Sequence, residues 1–481
     1  MPEHFMKTCS ARLAPLFSGP ARMAALLMAC SLTACGSEQG RPAQPAVTGF
    51  VGEVVADEPQ AALVARDVLA QGGNAADAAA ALGLALSVTL PSRASLGSGG
   101  ACLAWRPGDA QGQAFLFLPH AGQTDAQSDR PAAVPMLARG LYLMQMRYGR
   151  VDFADIIVPA RNLATDGVPV GGLLASDLAA VQAPLLADEK TRAIFANSNG
   201  TVLAANDLMV QPRLAGALER LRIAGVGDLY NGSLAQSFTQ ASQAAGAGLT
   251  TADMRGSLAV AEQPLTVRSG GLDISFLPPP ADGGLGTAAA YLSMDDHGHA
   301  SARGEAVVSG WRNRQSGKGA AVSVADAEAL LKSGHLPSGS ALPPLPASTS
   351  FVVTDRTGET VSCGLTMNNL FGTGRVAGST GIVLAASPVR RPLPLLTAAI
   401  AHQGTTQFRA AATASGQNVA ADTAAVALRA AVAGQRPTVT QGVGRANFVS
   451  CPAGLPGDSG KCFGWTDPRG SGLAVSSGHT K

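Results

Sequence analysis

The chain has 481 residues, a formal net charge of +2, 46% hydrophobic residues and only 14% charged ones. That length and apolar content suffice for a large core, in one big domain or two to three ordinary ones. The near-neutral balance, with no Lys/Arg cluster, argues against a nucleic-acid partner. Aromatics are 4%, so the core is expected to be packed from small side chains, Ala above all.

At the N-terminus Lys7, Arg12 and Arg22 precede an apolar segment, Met23 to Ala34. It falls short of the roughly 20 residues a membrane-spanning helix needs but fits the core of a signal peptide. It ends Leu32-Thr33-Ala34-Cys35-Gly36-Ser37, which resembles a bacterial lipobox. That implies a lipoprotein-type signal over residues 1–35, with the lipid on Cys35. A plain secretory signal cut near Ala34 is the alternative. Either way export is expected, with the lipid form anchored on the periplasmic side of the cell envelope. Residues 36–48 read as a polar tether. The later apolar run Ala75 to Val88 is too short to span a membrane.

Gly49 to Val55 reads as a strand and Glu58 to Ala70 as an amphipathic helix. Gly72 and Gly73 end that helix. Asn74 is a good N-cap for the next one, with Asp77 at the third position of a capping box. That second helix, Ala75 to Val88, is nearly all Ala and Leu and so is expected to be buried on most sides. It stops before Pro91. Ser92 to Trp105 is a Gly-rich loop feeding a strand. It lacks the Lys and Ser/Thr of a phosphate loop and precedes a strand, which favours close backbone packing instead.

Farther on, a Pro/Gly/Ser-rich approach from Ser333 to Pro346 ends in Ala347-Ser348-Thr349-Ser350. An apolar run, a turn at Asp355 to Gly358 and a returning run from Thr360 to Met367 describe a β-hairpin with hydroxyls at its mouth. Strand-rich stretches near 99–118, 349–367 and 377–385, interleaved with Ala-rich helices, give an α/β or α+β class. Cys102 and Cys363 lie in apolar strand-like runs and read as small buried residues. Cys451 and Cys462 flank a Pro/Gly loop, where an oxidising compartment would allow a disulfide. There is no CxxC, and neither a metal site nor a cofactor is expected. His120, His297, His299, His335, His402 and His479 are scattered mostly in polar loops. No Gly-x-Ser-x-Gly elbow is present, so a Ser/His/Asp triad is not favoured.

Glu58 to Trp105 resembles the opening of the gamma-glutamyltranspeptidase family of N-terminal nucleophile (Ntn) hydrolases. The shared features are the Gly73-Asn74-Ala75-Ala76-Asp77-Ala78 turn, the buried Ala-rich helix, Pro91 and the Gly97-Ser98-Gly99-Gly100 loop. Tyr148-Gly149, Leu229-Tyr230-Asn231-Gly232, Gly248 to Met254, Pro278-Pro279-Pro280 to Gly284 and Asp467-Pro468-Arg469 resemble later family motifs in the same order, the last of them in its closing strand. The resemblance spans roughly residues 50 to 475 and implies an α+β four-layer αββα sandwich. Aligned through Asp355 and Gly358, the family's self-cleavage site falls between Ala347 and Ser348. Residues 49–347 would then correspond to its large subunit and 348–481 to its small subunit, interlocked in one domain. Ser348 is the implied nucleophile, Thr366 the residue orienting it and Asn368 a substrate contact. Ser415 and Gly416 match the pair whose backbone N–H groups form the oxyanion hole.

The chemistry suits these residue types. A serine hydroxyl is a poor nucleophile without a base. An N-terminal one has its own α-amine, titrating near ~7.7–8.0, to take and return the proton. The implied function is a gamma-glutamyltransferase/hydrolase-like amidohydrolase or acyltransferase acting on a small amide or peptide-like substrate. Several family groups are replaced. The arginine that grips the substrate carboxylate aligns with Leu118. The two serines of the carboxylate-binding segment Arg391 to Leu396 are Pro394 and Leu395. The acidic loop that binds the substrate amine is cut down to Leu384-Ala385-Ala386-Ser387-Pro388. A γ-glutamyl head left unpaired there would be costly to bury. The alternative reading is a lipid-anchored pseudoenzyme with a binding or structural role and no self-cleavage.

Overall fold

The computed structural model describes residues 49–295, 298–315, 323–343, 347–389, 394–438 and 442–477. The expected signal, Cys35 and the tether, together with Pro346 and residues 391–393, lie outside them. The described residues fall in one compact unit.

The chain opens with β1 (Gly52–Ala56), α1 (Pro59–Ala70), α2 (Ala75–Thr89), β2 (Gly99–Trp105) and β3 (Gln113–Phe117). Helices α3 (Leu137–Tyr148), α4 (Phe153–Asp166) and α5 (Gly172–Ala180) follow. Next come β4 (Val260–Glu262), β5 (Leu265–Ser269), β6 (Leu272–Phe276) and α6 (Gly283–Leu292). The last third holds β7 (Ser348–Asp355), β8 (Thr360–Thr366), β9 (Ala399–Gln403), β10 (Gln407–Ser415), α7 (Ala420–Val432), β11 (Arg445–Leu455), β12 (Phe463–Thr466) and β13 (Leu473–Ser477). One sheet has seven strands in the order β13-β1-β7-β8-β2-β3-β4. A second has six, β12-β11-β10-β9-β6-β5.

The period-2 alternation of side chains divides the core. Phe351, Val353, Cys102 and Ala104 face a cluster with residues of α1, α2 and α3. Their neighbours Val352, Ala101 and Leu103 face Ile400, Phe408, Ala411 and Val449 of the second sheet. The far side of that sheet, Ile274, Ala412 and Phe448, packs on Leu285 of α6 and Leu428 of α7.

The α1–α2 turn follows its residue chemistry. Asn74 Oδ1 accepts from the Asp77 N–H at 3.0 Å, and Asp77 Oδ2 accepts from the Asn74 N–H at 3.1 Å. The box satisfies two of the orphan donors at the start of α2. The next two donate to the turn of the β7–β8 hairpin: Ala75 N–H to Asp355 Oδ2 and Ala76 N–H to Glu359 Oε1, both 3.2 Å. All fifteen residues of α2 are buried, as a helix that is nearly all Ala and Leu requires. Burial, with the neighbouring Asp355 charge adding to it, pushes Glu359 up to about 8.

Four sequence expectations differ from what is observed. Cys102 and Cys363 are not separate small residues: they face each other across β2 and β8 and are joined in a disulfide, S–S 2.04 Å. His402 is not in a polar loop. It is buried in β9, stacks on Trp105 at 4.8 Å and bonds Gly404 O through Nδ1 at 2.6 Å. Asp467-Pro468-Arg469 is the turn after β12 rather than a strand, tied by the ion pair of Asp467 with Arg469. In the 377–385 stretch only Ala377, Ile382 and Val383 are in strands, within the two-residue ladder of Val376–Ala377 against Ile382–Val383. Cys451 and Cys462 are bonded to each other, S–S 2.06 Å.

Candidate active site

Ser348 opens β7 and stands opposite Thr366 at the end of β8. Both strands are fully buried. The carbonyl of Ala347 receives two hydrogen bonds, from Thr366 Oγ1 at 3.0 Å and from the Met367 N–H at 3.1 Å. The Asn368 N–H donates to Thr366 Oγ1 at 2.8 Å, so the hydroxyl's acceptor site is occupied and its proton is directed to Ala347. Ser348 Oγ itself is buried and has no hydrogen-bond partner among the described residues. A buried orphan hydroxyl is rare enough to need a reason. Here it sits one residue from a carbonyl already held by two donors.

Asn368 lies in the left-handed region (φ 58°), buried, with Nδ2 donating to Ala386 O at 3.3 Å and Oδ1 unpartnered. Asn is among the few residues that tolerate this backbone. Ser415 ends β10, in the sheet facing that of Ser348, and Gly416 follows it. Gly416 has φ 113°, and a Cβ there would meet Gly444 Cα at 2.6 Å. Ser415 stands at an ordinary backbone angle, which is why a side chain is tolerated at one of these positions and not at the other.

Four further residues, Asp57, Asn447, Arg93 and Asp177, join the site without a local sequence signal. Asp57, just past β1, is buried. Its Oδ2 accepts from Ser350 N–H (3.0 Å), Thr349 Oγ1 (3.1 Å) and Ser415 Oγ (3.1 Å). Its Oδ1 accepts from Asn447 Nδ2 at 2.8 Å. Burial pushes Asp57 up, and these donors together with the Arg93 charge pull against it. Arg93 forms a bidentate pair with Asp177 on α5 (2.7 and 2.9 Å) and donates from Nη1 to Ser348 O at 3.2 Å. Arg93, Asp57, Asp177, Ser415 and Gly416 line a cavity of about 490 Å³. Each is conventional locally, beside a strand end or in an ion pair, and only the fold brings them together.

Leu118 and Leu395 are both buried among apolar side chains. Leu118 lies in the inter-sheet core beside Leu396, and Leu395 packs on Val308 and Ala420.

The facing sheets, with a hydroxyl opening an internal strand, are the arrangement of the N-terminal nucleophile hydrolase fold. The family profile for gamma-glutamyltranspeptidase matches residues 61–311, and the chain belongs to that family. It is 29% identical over 425 residues to the glutathione hydrolase proenzyme of Escherichia coli (strain K12), covering 77% of this chain and 73% of that protein. To glutathione hydrolase 3 of Arabidopsis thaliana it is 29% identical over 258 residues, spanning 40% of that protein. Among solved structures, the cephalosporin acylase from Bacillus halodurans superposes with a TM-score of 0.69 over 92% of this chain and 98% of the other, at 19% identity.

Proposed function

We propose that this chain is an Ntn amidohydrolase or acyltransferase that cuts itself between Ala347 and Ser348 and then uses the Ser348 hydroxyl through an acyl-enzyme. The observation that carries the reading is the Ala347 carbonyl, held by Thr366 and Met367 beside the unpartnered Ser348 Oγ. Ser348 Oγ attacks the Ala347 carbonyl carbon while Thr366 Oγ1 and the Met367 N–H stabilise the charge on its oxygen. The C–N bond breaks, the hydroxyl proton goes to the departing nitrogen, and water hydrolyses the resulting ester. Ser348 then carries a free α-amine that serves as the base for an incoming amide. Ser415 and Gly416 supply backbone donors to that second oxyanion, and Asn368 contacts the substrate.

The substrate in this reading is a small amide or peptide-like molecule. With Leu118, Pro394 and Leu395 in place of the polar grip, its acyl group is less polar than γ-glutamyl. The architecture is a four-layer αββα sandwich. Residues up to 347 and from 348 onward would be interlocked pieces, because β7 lies between β1 and β8. Export with a lipid on Cys35 completes the proposal.

The test is a denaturing gel, after reduction, of the protein lacking residues 1–35. Two fragments are expected, the smaller beginning at Ser348, and Ser348→Ala should abolish them. A single full-length band after prolonged incubation refutes self-cleavage.

A further inference from the structure

Strand β7 loses its partner on one edge where Ser348 begins. β1 pairs with β7 from Gly52 opposite Asp355 to Ala56 opposite Phe351, and the chain then turns into α1. On the other edge, β8 keeps pairing up to Ser348 opposite Thr366. Ser348 and Thr349 are therefore laddered on one side only, and the last backbone contact on the β1 side is the Asp57 N–H donating to Ser350 O at 3.4 Å.

Side chains take over on the open side. Asp57 Oδ2 accepts from the Ser350 N–H and from Thr349 Oγ1. Asn447 Nδ2 donates to Ser350 O at 3.0 Å. Arg93, fixed by Asp177, donates to Ser348 O. The same Asp57 oxygen accepts from Ser415 Oγ, so one carboxylate sets the spacing between the nucleophile strand and the turn at the end of β10.

In the uncut chain, Ala347 also holds this segment, through its carbonyl bonds to Thr366 and Met367. Cleavage converts Ala347 into a chain end that is free to leave and takes those bonds with it. New termini fray unless tied down.

We propose that Asp57 and Arg93 form a clamp that holds residues 348–350 after the cut, making them positioning residues for the Ser348 hydroxyl and α-amine. The inference rests on the self-cleavage reading. It separates two stages: the uncut strand is held from both ends and needs the clamp little, whereas the cut strand depends on it.

The experiment uses the protein lacking residues 1–35, as wild type, Asp57→Asn and Arg93→Lys. Self-cleavage is followed on reducing gels. The cut protein is then incubated with a broad-specificity aminopeptidase, and the mass of the smaller fragment is read over time. Once cut, Asp57→Asn is expected to lose Ser348 and Thr349 about tenfold faster than wild type, the size of effect expected from weakening a charged hydrogen bond at a locally opening end. Arg93→Lys, read the same way, decides the matter if Asp57→Asn does not fold. A merely structural role would lower the melting temperature without raising trimming of this one terminus. Variants that cut normally and resist trimming as wild type does overturn the clamp and leave self-cleavage standing. A folded variant that no longer cuts also overturns the two-stage clamp. A wild type that never cuts overturns both proposals.

Discussion

Removing the Thr366 hydroxyl tests the site most directly. In Thr366→Val the shape is nearly preserved, but Ala347 O loses the donor at 3.0 Å and keeps only the Met367 N–H at 3.1 Å. One donor to a developing oxyanion is worth about 2.7–4 kcal/mol, so self-cleavage should slow about 10²–10³-fold. The variant also strands the Asn368 N–H, which donates to this hydroxyl at 2.8 Å, and that should cost about 1–3 kcal/mol of stability. The two effects separate: the melting temperature reports the second, and a time course on reducing gels reports the first. Thr366→Ser restores the hydroxyl and should recover most of the rate. If Thr366→Val cuts as fast as wild type while Ser348→Ala does not cut, the Ala347 carbonyl is not activated by this hydroxyl and the proposed chemistry is wrong.

Glu359 gives a pH test of the hairpin. Its carboxyl is pushed up to about 8 from 4.5, so its contribution to stability is fully present below pH 4.5 and is lost as pH rises through 8, with a ceiling of about 5 kcal/mol. Glu359→Gln keeps the acceptor for the Ala76 N–H and should flatten that loss, melting above wild type at pH 9 but not at pH 5. Gly416→Ala forces a Cβ to within 2.6 Å of Gly444 Cα at φ 113°, and should cost about 1–3 kcal/mol in thermal unfolding. Replacing Cys102 and Cys363 by Ala opens a 261-residue loop and should lower stability by up to about 5 kcal/mol in denaturant titration of the uncut Ser348→Ala protein. No change in midpoint would show that the pairing adds nothing.

The site residues Ser348, Thr366, Asn368, Ser415 and Gly416 were legible through the family resemblance, while local pattern alone reached the elements around them. Asn74 and Asp77 announce a capping box by their spacing alone, and the Asp355–Gly358 turn sets Ser348 against Thr366 once the hairpin is assumed. What was not legible depends on register between distant strands. Cys102 and Cys363 each look like a small buried residue until β2 and β8 are laid side by side. Asp57 reads as the end of a strand and Arg93 as a loop cation, since nothing within ten residues marks their targets at Ser348, Thr349 and Ser350. His402 resembled a loop residue because its partner, Trp105, is nearly three hundred residues away.

The Cys102–Cys363 bridge bears on how the cut protein would behave in solution. One cysteine precedes the proposed cleavage point and the other follows it. A cut at Ala347 would therefore turn an intramolecular loop closure into a bond between two polypeptides. Dilution, denaturant or heat could then open the molecule without letting its halves drift apart. Refolding would stay first order in protein, as for a single chain. The fragments could exchange with those of another copy only where the bridge is reduced, so in an oxidising compartment each molecule would keep its original pairing for life.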